Sequence, residues 1–140
     1  MQKELIAHKL KNIRWIREHI SVLEQRRTEL EFSMKRISQS ALSEVKSNDP
    51  TKNRTLDLLI KLEELDCLIA EKIIEYNQVV LEVEEKFEHL SFAEKDILTK
   101  YYIQGMKWKD VSKITFYSTV QCWRIQNAAI EKLVALELLE

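Results

Sequence analysis

The residues able to do chemistry fall into four groups: three histidines, two cysteines, a run of carboxylates and a basic, polar stretch near the C-terminus. His8, His19 and His89 share no metal-ligand spacing and sit in long helical patterns, so they read as ordinary surface or seam residues. Cys67 and Cys122 are far apart and no CxxC occurs, which points to a reducing compartment without a metal framework. The carboxylates of Glu82-x-Glu84-Glu85-x-x-Glu88 look like an acid/base store, but they are more simply the solvated face of a helix. No Ser/His/Asp or Cys/His arrangement can be placed on a cleft. The chain reads as a non-enzyme with no cofactor and no metal.

The fourth group differs. Lys107, Lys109 and Lys113 precede Ser118, Thr119, Val120, Trp123, Arg124 and Asn127. At 100° per residue, Val120, Trp123, Arg124 and Asn127 share one side of a helix, with Thr119 at its margin. Cys122, Ile125, Ala129, Leu133 and Leu136 share the other side, which is the core face. The first face suits the major groove of double-stranded DNA: Arg124 can pair with a guanine edge, and Val120 or Thr119 can touch a thymine methyl. Lys107, Lys109 and Lys113, with Ser118, can meet phosphates and position the helix. Two plainer readings stand beside this one. Trp123 reads first as core, against Trp108 or the long helices, because aromatics at helical spacing usually pack. Arg124 has as its alternative a surface ion pair with Glu131 or with the long helices.

The elements that hold these residues are legible too. Ser91-x-x-Glu94 is a capping box that opens a helix through Ile97, Leu98, Tyr101 and Tyr102. Gly105 should end it in a left-handed conformation. A short helix follows from Trp108 to about Ile114, with Val111 for the core. Thr115 and Phe116 connect it to Ser118, the N-cap of a final helix to about Leu136. Helix, tight turn, short helix and a longer capped helix make a helix-turn-helix.

Everything before residue 89 is built differently. Ile13, Ile16, Ile20, Leu23, Leu30, Met34 and Ile37 form a heptad seam from 4 to about 37, interrupted at Arg27, whose long side chain can snorkel outward or set register. A second helix from Leu56 to about Phe87 carries Leu59, Leu62, Ile69, Ile73, Tyr76, Val80, Val83 and Phe87, interrupted at Asp66. Between them, Ser38–Asn53 holds four serines and Asn48-Asp49-Pro50, so the turn is expected at about 46–54, with Asn53 or Thr55 capping the second helix. The expected architecture is all-α: a long antiparallel, coiled-coil-like hairpin over 1–88 and a helix-turn-helix module over 89–140. The second helix is apolar beyond its seam, at Leu58, Ile60, Leu65, Leu68 and Ile74, which predicts a homodimer or higher homo-oligomer through the hairpin.

Composition agrees. The 140 residues contain one Gly and one Pro, where ordinary usage gives roughly ten and seven. A Rossmann fingerprint or a P-loop needs two or more glycines in one loop, so neither is present. Lys+Arg of 22 against Asp+Glu of 23 gives net −1, with a basic first third and an acidic middle. No signal-like start and no 18-residue apolar run occurs, so the expectation is a cytoplasmic protein with no membrane partner.

The pattern Leu90-Ser91-x-x-Glu94-x-x-Ile97-Leu98-x-x-x-Tyr102-x-x-Gly105, Trp108-x-x-Val111-Ser112 and Tyr117-Ser118-x-x-x-Cys122-x-Arg124-Ile125-x-x-x-Ala129-Ile130-x-Lys132-Leu133 resembles the region-4 helix-turn-helix of sigma factors. It is most similar to small ArpU-type (DUF1492-like) phage transcriptional regulators, which carry this module after a long helical half. The resemblance implies a DNA-binding regulator of phage or prophage late genes in the bacterial host cytoplasm. By position it assigns Thr119, Val120, Trp123 and Arg124 to bases, with Ser118 and Lys107 or Lys109 near phosphates. Charged residues are usual in that family where this chain has Thr119 and Val120. Two alternatives remain: a region-4-like module that binds RNA polymerase or another protein, and a phage DNA-packaging subunit.

Overall fold

The computed structural model describes residues 2–41 and 50–139, and among these every regular element is a helix. Helix α1 spans Gln2–Ala41 and α2 spans Pro50–Phe87, and the two pack against each other. Helix α3 spans Phe92–Leu98 and widens into a π-helical turn over Thr99–Ile103. Helix α4 spans Trp108–Thr115 and α5 spans Thr119–Leu139. The all-α expectation holds. None of the helices is long and apolar enough to cross a membrane among the described residues.

The start of α2 departs from expectation. Residues 50–54 are helical rather than a turn, so α2 begins at Pro50 and not at Leu56. A proline fits the first turn of a helix, where its missing N–H has no partner to lose and its fixed φ suits the helix. The remainder of the expected turn, 46–49, lies outside the described residues, as does any continuation of α1 from 42 to 45.

The division of the chain also differs. One unit comprises Met1–Glu18 with Glu75–Glu140, and the other comprises His19–Ile74. A boundary at 88/89 would leave Ile6 and Leu10 of α1 in a different domain from Leu98, Tyr102, Ile130 and Leu133, with which they form one core cluster around Phe87. The first turns of α1 and the last turns of α2 are therefore part of the helix-turn-helix unit. A seam that runs unbroken along both long helices contains no mark of where its partners change.

In the second unit, the polar interruptions of the two seams meet each other. The Arg27 guanidinium donates from Nε to Asp66 Oδ1, and from Nη1 to Glu31 Oε1 at 2.6 Å. The hydrogen bond to Asp66 raises the Arg27 pKa further. Arg27 thus neither snorkels alone nor stands unpaired in the seam.

Candidate nucleic-acid interface

Three short connections decide how the last three helices stand. The Ser91 hydroxyl accepts the Glu94 N–H at 3.3 Å and donates to Glu94 Oε1 at 2.7 Å. Lys132 of α5 donates to the same oxygen at 2.5 Å, which ties the start of α3 to α5. Burial pushes the Glu94 carboxyl up, but the hydrogen bonds from Lys132 and Ser91 outweigh it and hold the group below the ordinary carboxylate value.

The second connection is Gly105, at φ 72°, where the Met106 N–H reaches back to the Lys100 carbonyl at 3.0 Å. A Cβ at this position would lie 3.0 Å from Arg17 Cδ, which would have to shift slightly, but it is the positive φ that calls for glycine. The third connection begins at Phe116, which ends α4 at φ 65° in the left-handed region with no glycine to ease it. Ser112 Oγ donates to the Tyr117 carbonyl at 2.6 Å and closes this turn. Ser118 and Gln121 then cap α5 reciprocally, N–H to side-chain oxygen at 3.1 Å in both directions.

One buried residue from each helix forms the centre of the module: Ile97 of α3, Val111 of α4 and Cys122 of α5. Cys122, Ala129 and Leu133 are buried as their spacing predicts. The opposite face of α5 is open. Val120, Trp123, Arg124 and Asn127 are exposed, Thr119 is half-buried, and Ser118, Lys107, Lys109 and Lys113 are exposed around them. Eight of the nine predicted positions are thus exposed and Thr119 is half-buried, and they run from the residue before α4 to the third turn of α5.

Both plainer readings fail. Trp123 is 50% exposed instead of core, off the side of α5 that buries Cys122, Ala129 and Leu133, and Trp108 stacks on Tyr101 with ring centres 3.9 Å apart. Glu131, the carboxylate offered for Arg124, pairs instead with Lys3 at 3.8 Å. Among the described residues, the side chains of Arg124, Lys107, Lys109 and Lys113 make no ion pair or hydrogen bond. Several cations elsewhere in this unit are held: Lys100 by Asp96, Lys132 by Glu94, and Lys86 by Glu137 at 2.8 Å. Lys11 of α1 and Lys95 of α3 are exposed without an ion pair among the described residues, as the four above are.

The sequence reading missed what braces the turn before α4. Arg14, from α1, donates to the carbonyls of Tyr101 and Met106, each at 2.8 Å, and lies 4.3 Å over the Tyr101 ring. Arg17 donates to the Ile103 carbonyl at 3.2 Å and the Tyr76 hydroxyl donates to it at 2.6 Å. Carbonyls left open where a helix ends thus find donors on α1 and α2. No local signal could reveal bonds between residues 87 and 92 positions apart. Tyr102 lies beside this brace, accepts from Gln126 Nε2 at 3.1 Å, and is pushed by burial up to about 12.

Also missed was the apolar character of the surface next to Trp123. Ile114, Phe116 and Tyr117 are exposed together with Val120, and Phe116 is 93% exposed. The carboxylate run meets its simple reading: Glu82, Glu84, Glu85 and Glu88 are all exposed. Glu82 and Glu85 line an open cavity of about 470 Å³ with His89, Lys86 and Glu137. No group of three or more His, Cys, Asp or Glu among the described residues could hold a metal ion. Compared with known protein families, characterised proteins and solved structures, the chain matches none.

Proposed function

We propose that this protein is a DNA-binding transcriptional regulator that reads the major groove with the N-terminal half of α5, acting as a dimer. The observation that carries this reading is the exposed, core-opposed face of α5, on which Arg124 has no ion pair, together with the exposed and unpaired side chains of Lys107, Lys109 and Lys113 at and within α4. Unpaired cations on one side of a helix-turn-helix are what phosphate and base contacts require. Arg124 would take a guanine edge, Asn127 an adenine edge, and Val120 or Thr119 a thymine methyl. The Ser118 hydroxyl accepts from Gln121 N–H and keeps its own proton for a phosphate oxygen. With one arginine on the reading face, a single module binds weakly, and two recognition helices about 34 Å apart supply the rest.

The resemblance to ArpU-type regulators adds the setting: a phage or prophage late promoter in the bacterial cytoplasm. The test is selection of bound sequences from random duplex DNA at physiological salt. Enrichment of a motif with two half-sites about one helical turn apart is the expected result, and no enrichment rejects the reading.

A second reading is favoured by the exposed Ile114, Phe116, Tyr117, Val120 and Trp123. An apolar patch with a basic rim suits a protein partner, and RNA polymerase is the one that a region-4-like module implies. Capture of purified polymerase by the wild type but not by Trp123→Ala, without motif enrichment, would select this reading over the first.

A further inference from the structure

In the unit His19–Ile74, α2 has two apolar faces. One lies against α1 and contains Ile69, which with Leu23 of α1 is all that is buried among the described residues of this unit. The other lies on the opposite side of the helix. Leu56, Ile60, Cys67 and Ile74 fall within an arc of about 40° at 100° per residue. All four are exposed, Ile60 at 47% and Ile74 at 59%. A helix that is apolar on opposite sides belongs in the interior of a bundle. Two buried side chains are too few to hold a pair of helices together in water, so this face needs a permanent cover.

We infer that the cover is a second copy of this chain, with the α2 helices of the two copies running parallel and in register along Ile60, Cys67 and Ile74. This deepens the dimeric part of the reading above. Three features of α2 support this occupant, and the second of them sets its direction. First, Ile60, Cys67 and Ile74 are spaced by seven, so a copy in register meets this stripe with apolar side chains along its length. Second, one flank of the stripe is acidic and has the same spacing: Asp57, Glu64 and Glu71, all exposed.

An antiparallel copy would set this flank against itself. A parallel copy sets it against Leu59, Asp66 and Ile73, and Asp66 already has its countercharge in Arg27. Third, the stripe with Leu59 and Ile73 offers on the order of 500 Å² per copy, so a pair buries about 1,000 Å², where specific interfaces begin.

The test uses the full-length protein without DNA. Sedimentation equilibrium at micromolar concentration is expected to give twice the chain mass, and a monomer overturns the inference. Mild oxidation is expected to join the copies through Cys67, with the link absent in Cys67→Ser and kept in Cys122→Ser. A dimer that forms no such link overturns the parallel register. Ile60→Lys with Ile74→Lys should weaken association at least 100-fold, and if that variant fails to fold, the mass and cross-link of the wild type still decide. Because no DNA is present, a dimer that later enriches no DNA motif leaves this inference standing and rejects only the reading of α5.

Discussion

Arg124 is one guanidinium on an open helix face, and its expected worth follows from that isolation. Arg124→Ala should cost about 1–3 kcal/mol on a selected site and little on scrambled DNA, as read by a binding titration. Equal losses on both would remove Arg124 from base reading. Lys109→Ala should instead weaken every sequence alike and lower the salt slope by about one. Glu94 yields a prediction about stability. Its folded pKa lies below the ordinary 4.5, so its contribution is present above that value and is lost as pH falls through the folded one. Between pH 7 and 3, the urea midpoint of the wild type should therefore fall further than that of Glu94→Gln, which does not titrate.

At the scale of elements, the two turns of the module use opposite solutions to one problem. Gly105 takes a left-handed conformation without strain, and Phe116 takes it with strain. Phe116→Gly relieves a conformation that costs an L-residue about 1–2 kcal/mol but adds freedom to the unfolded chain, so a net gain of up to about 1 kcal/mol is expected. A thermal melt measures it. A Phe116→Gly variant that is more stable yet captures less polymerase would mean that the exposed ring is kept for a partner. The ends of these helices were legible because Ser91, Gly105 and Ser118 act through bonds to backbone a few residues away. Phe116 was not, since phenylalanine carries no local preference for that conformation. Nor was the exposure of Trp123, since an aromatic beside a core face packs or not according to what other helices bring near it.

Across the whole molecule, helix count, order and most core positions followed from periodicity alone. The grouping into units did not, because Ile6, Leu10, Arg14 and Arg17 look like any other part of a continuous seam. Their partners lie at the far end of the chain. Arg14→Ala removes two charged hydrogen bonds and a ring contact from the turn before α4, and should destabilise the unit by at least about 2 kcal/mol in urea unfolding. Arg14→Lys keeps the charge but not the planar fork, so it should recover only part of that loss.

The bonds from Arg14 to Tyr101 and Met106 also impose an order in time. A nascent chain exposes Arg14 first and supplies Tyr101 only 87 residues later, a delay of about 4–17 s at 5–20 residues per second. During that interval Ile6 and Leu10 have no partners from the C-terminal helices, although α1 itself can form. Bundles of neighbouring helices fold from local contacts, but this unit must wait for its last helices before its first one can dock. Its refolding should accordingly be slower than is usual for a helical protein of this length.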